Sequence, residues 1–301
     1  MSPRTPPKLV VVGTGLIGGS FALALKHGAH VGVVVGVGRS RDNLEQARRR
    51  GIVDRAYTRD SEWLPELADA DLVLLATPVG EMPHLFAAIA HRLGAATIVT
   101  DAGSTKQDVV AAARSALGAA FPRFVPAHPI AGSDRSGAVA AAATLFRGRP
   151  VVLTPVPETD PAAVARVREC WTRCGGIVSL LDAGRHDALL SAVSHLPHLL
   201  AFALVAEIAD RPDADDYWRV SGTGLRDFSR LANSHPDMWR DICIANAARL
   251  RVDLAAYRSA LGRIDAMLAS GDGAALARLF ERSRDARAAW LERRPGDDDV
   301  D

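Results

Sequence analysis

The sequence predicts an α/β fold, a doubly wound, mainly parallel sheet with crossover helices, followed by an all-α domain. Between Lys8 and Leu181, apolar β-branched runs alternate with helical patterns, and after Leu181 the strand-like runs stop. The runs are LVVVG (9–13), VGVVVGVG (31–38), LVLLATP (72–78), TIVTDAG (97–103), FVPAHP (124–129), VVLTP (151–155) and IVSLL (177–181). Several are apolar throughout, as strands covered on both faces are. Helical patterns then occupy 183–210, 215–231 and 236–268. The expected organisation is a sheet domain over 1–182, a helical domain over 183–293 and a tail over 294–301. The tail, RPGDDDVD, has the composition of a disordered segment.

At 301 residues and 48% apolar, the chain can bury one or two cores. Its 36 Lys and Arg balance 35 Asp and Glu, so no global field favours nucleic acid or a membrane surface. An acidic ligand must therefore be gripped locally. No apolar run reaches the roughly 18 residues of a membrane span, and MSPRTPP (1–7) is too short and polar for a signal peptide. Cys170, Cys174 and Cys243 lack the second pair of a zinc site and read as reduced thiols of a cytoplasmic protein. The stretch from Ala188 through Val205 is apolar on more than one face despite Pro197. A second subunit and a buried central position both account for it.

Gly13-Thr14-Gly15-Leu16-Ile17-Gly18 follows the first strand and opens a helix, which is the context that gives a G-x-G-x-x-G its meaning. The first two glycines allow a tight turn and close backbone approach to a pyrophosphate. Leu16 and Ile17 begin the helix whose positive end faces that group, and Gly18 lets helix and strand pack. The first domain is therefore a Rossmann-type dinucleotide-binding domain. Where an acid would hold the ribose 2′-hydroxyl, the second strand ends in Gly38, Arg39, Ser40 and Arg41. Without an acid, and with a guanidinium, the site should take NADP or NAD, with NADP at least tolerated. Arg39 stacked on adenine or facing water is the alternative. Thr77 and Pro78 close another strand on the same crevice, as does Ser104, which reads equally as an N-cap for a helix from Thr105 onward.

Residues 128–137 read HPIAGSDRSG, which places an imidazole at a strand end before a run of turn formers. Strand ends in α/β proteins are where loops collect ligands. Taken alone, the stretch reads equally as an ordinary turn, since Pro, Gly, Ser and Asp all favour turns.

GTGLIGGS (13–20), TDAGSTK (100–106), HPIAGSDRSG (128–137), SHLPH (194–198) and GTGLRDFSRLANSHPDMWRDI (222–242) together resemble the prephenate and arogenate dehydrogenase family, also called cyclohexadienyl dehydrogenases. The resemblance spans roughly residues 8–250 and implies an NAD(P)-dependent oxidative decarboxylation in tyrosine biosynthesis. It implies His128 as the catalytic base and Ser104 as its partner on the substrate hydroxyl. Arg230 would hold the ring carboxylate, with Arg226 as a surface alternative one turn earlier. His198 would lie near the substrate side chain, and Ser133 and Asp134 near its pyruvyl or alanyl end. Zinc on the His195/His198 pair lacks a third ligand by sequence. The resemblance further implies a homodimer built on the helical domain, and tyrosine competing in the substrate pocket. The helical domain fills 183–293 and leaves no room for an appended regulatory domain. Related dehydrogenases that use a lysine from a C-terminal helix are disfavoured, because no lysine occurs after Lys106. A dinucleotide sensor without turnover is the non-enzymatic alternative.

Overall fold

In the computed structural model, which describes residues 7–132 and 135–293, the first strand is buried on both faces. β1 (Lys8–Val12) sends Leu9 and Val11 to one core and Val10 and Val12 to the other. Beside it run β2 (Val33–Gly38), β3 (Arg55–Thr58), β4 (Leu72–Leu75), β5 (Ile98–Asp101) and β6 (Phe124–Val125), all parallel, in the order β3-β2-β1-β4-β5-β6. That is the order of a doubly wound dinucleotide-binding sheet, with its switch point between β1 and β4. Val10 sits between Val35 and Val73 in register.

Helices α1 (Leu16–His27), α2 (Arg41–Arg49), α3 (Met82–Ile89), α4 (Gln107–Leu117) and α5 (Pro161–Arg173) cover the two faces. Phe21 and Leu25 of α1 join Val167 and Trp171 of α5 in one core, while Met82 and Phe86 of α3 join Val109 and Ala113 of α4 in the other. Each face needs its own helical layer because each strand face is apolar.

Two strand expectations are corrected. β3, with sequence RAYT, has no apolar run because it is an edge strand bonded only to β2 and partly exposed. The run 124–129 does not continue as one strand. Pro126, which has no N–H for a ladder, divides β6 from β7 (Ala127–Pro129), and β7 joins a second sheet. There β7 is antiparallel to β8 (Pro150–Leu153), and β8 is parallel to β9 (Ile177–Leu180).

The helical part contains α6 (Ala183–Leu190), α7 (Leu196–Ala209), α8 (Ala214–Val220), α9 (Thr223–Ser229), α10 (Pro236–Ala245), α11 (Ala247–Ser270) and α12 (Gly273–Glu292). The single helix expected over 215–231 is broken at Gly222, whose backbone is extended. That expected over 236–268 is broken at Asn246, whose side chain is occupied by other elements. α6 and α7 are one continuous rod joined by a π turn over Ser191–His195. The wider turn lies directly before Pro197, which cannot supply the N–H of a regular turn. This 27-residue helix, Ala183–Ala209, is long and apolar enough to cross a membrane, contrary to the expectation that no segment would be. Its central interruption divides the apolar pattern into two runs that look shorter in the sequence.

By internal packing the chain divides into two units, Met1–Leu250 and Arg251–Asp301, so the sheets and α6 to α10 fall in the same unit. The tail expected at 294–301 lies outside the described residues.

A buried ion pair ties the two sheets. Lys106 and Asp101 are fully buried and bonded to each other. Lys106 Nζ also donates to the carbonyl of Ala127 at 2.8 Å, and the Ala127 N–H donates to Asp101 Oδ1 at 3.0 Å. Both backbone groups of the residue before His128 are thus held by one pair. Substituting Lys106→Met should lower folding stability by about 3–5 kcal/mol, because Asp101 is left buried without its counter-charge; denaturant unfolding measures this.

Candidate active site

The glycines of the first βα turn have three different jobs. Gly13 has φ +103°, and a Cβ there would fall 2.2 Å from the carbonyl oxygen of Ala76. At Gly18 a Cβ would fall 2.1 Å from the carbonyl oxygen of Gly13. Around a Cβ at Gly15, by contrast, no atom of the described residues lies within 4 Å. Gly15 is the N-cap of α1, has no side-chain cap, and is followed by Leu16 and Ile17 in a first turn without an acid. An open backbone at a positive helix end fits a pyrophosphate. The buried Oγ1 of Thr77, on the loop that touches Gly13, has no partner among the described residues and is able to bond a ligand's polar group. Pro78 follows it and leads into a short turn over Val79–Glu81. These features fit a dinucleotide.

Beyond β2, Arg39 is exposed. Ser40 serves as the N-cap of α2, its Oγ accepting from the N–H of Asn43 at 3.2 Å. Arg59, bonded to Glu81 at 2.6 Å, together with the charge of Arg39, holds that carboxyl below the usual range. Asn43, unnoticed in the sequence, donates to both oxygens of Thr14 at 3.1 Å and accepts from the N–H of Ala138 at 2.6 Å. It thereby clamps the glycine turn to the loop that follows β7.

His128 projects from β7 and is buried. Burial, then the nearby positions of His186, Lys106 and His195, hold its pKa well below the usual histidine range, so the ring is neutral at pH 7. Its Nδ1 lies 2.9 Å from Nε2 of His186, and Nδ1 of His186 lies 2.8 Å from Oδ1 of Asp187. Asp187 in turn accepts from the N–H groups of Lys106 at 2.8 Å and Gln107 at 2.9 Å. The N-terminus of α4 is therefore capped by a residue 80 positions away from Gln107. Ser104 does not cap it, because the helix begins at Gln107. Ser104 is half-buried on the loop between β5 and α4.

The other expected histidines lie along the same rod. An unbroken α-helix would place His195 roughly 180° around the axis from His186, but the π turn winds through less angle per residue and swings it back toward the buried side. Nδ1 of His195 faces the side-chain amide of Asn246 at 3.1 Å, and the same amide donates to the Asp187 carbonyl at 2.8 Å. Burial lowers the His195 pKa to about 4, and its buried Nε2 has no partner among the described residues. His198 donates from Nδ1 to the Ser194 carbonyl at 2.9 Å and stacks on Trp239 with ring centres 3.7 Å apart. Burial and the charge of Arg230 lower its pKa, and the short turn that begins at Arg230 packs against α7. Arg230 itself is exposed, at the start of a short turn after α9.

His128, His186, Asp187, Asn246, His195, Trp239 and His198 thus form an unbroken succession of neighbours, and the turn that begins at Arg230 packs against the helix that carries His198. Sequence reading missed His186, Asp187, Asn246 and Trp239. An adjacent His-Asp pair inside an apolar helical pattern was the available signal for the first two. Ser133 and Asp134, expected near the substrate side chain, lie outside the described residues.

Comparison with known proteins identifies the family. Residues 21–180 match the model for the prephenate dehydrogenase nucleotide-binding domain, and residues 182–282 match that for the prephenate dehydrogenase dimerization domain. Cyclohexadienyl dehydrogenase of Zymomonas mobilis is 34% identical, over 93% of this chain and 95% of its own. Prephenate dehydrogenase of Bacillus subtilis is 31% identical, over 96% of this chain and 77% of its own. The solved structure of prephenate dehydrogenase from A. aeolicus, in complex with hydroxyphenyl propionate and NAD+, superposes with a TM-score of 0.85 at 30% identity, covering 97% of this chain and 99% of that one. The chain is an oxidoreductase with a Rossmann-type nucleotide-binding fold and belongs to the prephenate dehydrogenase family.

Proposed function

We propose that this chain is a prephenate dehydrogenase of tyrosine biosynthesis, converting prephenate to 4-hydroxyphenylpyruvate. The observation that carries the reading is the succession from a buried neutral imidazole, His128, to His198 on the α6–α7 rod, with an exposed guanidinium, Arg230, on the turn packed against α7. A small diacid with a hydroxyl at its far end suits that pairing of base and cation. Arogenate, which differs in the side chain, is the alternative substrate, and kinetics with both substrates and both cofactors separate the two.

The roles follow from the chemistry of each group. Arg230 pairs with the ring carboxylate, and His198, its Nδ1 engaged by Ser194, offers Nε2 to the substrate side chain, where Ser133 and Asp134 also belong. Ser104 orients the C4 hydroxyl toward His128, which takes its proton. Gly13, Gly15, Leu16, Ile17, Gly18, Thr77 and Pro78 would hold a nicotinamide dinucleotide, which when bound would supply the hydride acceptor. With the proton and hydride gone from the C4 carbinol, the C1–carboxylate bond breaks, carbon dioxide leaves, and its electron pair completes the aromatic ring. Arg39 and Ser40 border the adenosine end, and NADP is used as well as NAD because no acid at the end of β2 opposes a 2′-phosphate.

We further propose a cytoplasmic homodimer. The support is the apolar Ala183–Ala209 rod, of whose most apolar stretch only 28% is buried within the chain. Exposed Val193, Leu204, Val220 and Phe228 lie on or near it. A second copy of the helical domain over 183–293 would cover that surface, and the polar His186–Asp187 pair on the same rod argues against lipid as its cover. Tyrosine, which shares the product's ring, would compete for the substrate pocket.

Reduction of nicotinamide, followed by absorbance for prephenate and arogenate against NAD and NADP, tests the reading. It expects the highest kcat/KM with prephenate, and turnover with both cofactors; cofactor binding without turnover of either substrate would overturn it. His128→Asn should lower kcat by about 10² to 10⁴ while cofactor affinity stays near that of the wild type. Because the His128 pKa is held well below the usual histidine range in the folded protein, wild-type kcat/KM should stay level through neutral pH and fall only at pH values below that range. Arg230→Gln should chiefly raise KM for prephenate, by the equivalent of about 1.5–3 kcal/mol, as steady-state kinetics would show.

A further inference from the structure

The protons between His128 and Asp187 can be assigned from the bonds alone. Asp187 is buried, and its two oxygens accept from the backbone amides of Lys106 and Gln107. Although burial opposes ionisation, the His186 contact and those two amides keep its pKa below the usual carboxylate value, so it is a carboxylate and can only accept. Nδ1 of His186, 2.8 Å from Oδ1, must then carry a proton. In a neutral imidazole with its proton on Nδ1, Nε2 is a bare lone pair. Among the described residues, the group that meets that lone pair is Nδ1 of His128, at 2.9 Å, which must be the donor. By the same rule, the lone pair of neutral His128 sits on Nε2, the nitrogen that faces away from His186.

We propose that His186 and Asp187 are positioning residues for the dehydrogenase reaction, acting as a two-member relay that fixes the reactive tautomer of His128 and accepts charge from it. The proposal rests on the reading of His128 as the general base. When Nε2 of His128 takes the substrate proton, an N–H bond forms there. The Nδ1 proton of His128 then passes to Nε2 of His186. His128 is again neutral, and the positive charge resides on His186 against the Asp187 carboxylate. The reverse transfers restore the resting state when the proton is released to solvent or product. No oxidant or other co-reactant takes part in these proton transfers.

The surroundings favour this direction. Lys106, already paired with Asp101, and His195 both oppose a positive charge on His128. Asp187 is the carboxylate in contact with the imidazole pair, while Asp108 faces Asp187 and Lys106 from α4. A cation is therefore better placed on His186, one bond from a carboxylate, than on His128. Fixing a tautomer through an acid behind a histidine is worth several powers of ten in other enzymes.

Nitrogen-15 spectra of the histidine rings in the folded, cofactor-free protein, together with pH profiles of His186→Leu, His186→Gln and Asp187→Asn, test the relay. In the wild type, His128 should carry its proton on Nδ1, and in His186→Leu it should revert to Nε2. His186→Leu should lower kcat by about 10² to 10⁴, and His186→Gln, which keeps an acceptor for the His128 N–H, should be faster than the Leu variant. Asp187→Asn should move the acid limb of kcat/KM to lower pH, because removing the negative charge makes the imidazole pair harder to protonate. A purely structural role would lower the amount of folded enzyme without moving that limb. A His128 proton found on Nε2 in the wild type, or unchanged kcat in His186→Leu, would overturn the relay. The base assignment fails separately, if His128→Asn retains full activity, and the wild-type spectrum needs no turnover to be read.

Discussion

Asp187 is 2% exposed, and its carboxylate bonds to the N-terminus of α4 and to the ring of His186. The charge is tolerable in the interior because both oxygens are engaged and the partial positive charge of a helix end faces them. Remove it, and two backbone amides and a ring N–H lose their acceptor, each at a cost of about 1–3 kcal/mol. The contact also joins two parts of the chain. α6 is docked against the first domain through a polar group, so the imidazole brought by β7 and the histidines brought by the α6–α7 rod meet at a fixed distance.

A second buried charge pair works from the opposite side. Lys106 lies next to the amide that binds Asp187, and its ammonium and Asp101 together hold both backbone groups of Ala127. The loop over 101–107 therefore serves two sets of partners: its side chains position the strand that carries His128, and its backbone positions the helix that carries His186. This gives a physical reason for so polar a segment at the end of an apolar strand. The glycine turn is built on the same logic of fit, with two positions closed by backbone contacts and Gly15 left open for a ligand.

Most of the sheet could be read from the sequence because buried parallel strands are continuous apolar runs, and nearly every such run became a strand. β3 was not legible, since an edge strand with sequence RAYT has neither the length nor the apolarity to declare itself. The division at Pro126 was visible as a residue but not as an event, because which sheet a strand joins depends on partners remote in sequence. At the site, His128 and the glycine turn stood out through strand-end position and spacing. His186 and Asp187 did not, because a polar pair in a helical pattern looks like surface until the facing amides are known. The π turn over Ser191–His195 has no propensity signature, yet it decides which way His195 points.

In the proposed reaction His128 presents a bare Nε2 to the reacting hydroxyl while Arg230 holds the opposite end of the same molecule. A crystal structure with a nicotinamide cofactor and a hydroxyphenyl product analogue measures this directly. Nε2 of His128 should lie within about 2.6–3.2 Å of the ring hydroxyl, with the Arg230 guanidinium facing the far end of the analogue. A ligand seated away from His128, or a ring turned so that Nδ1 meets the hydroxyl and the His186 contact is broken, would contradict it.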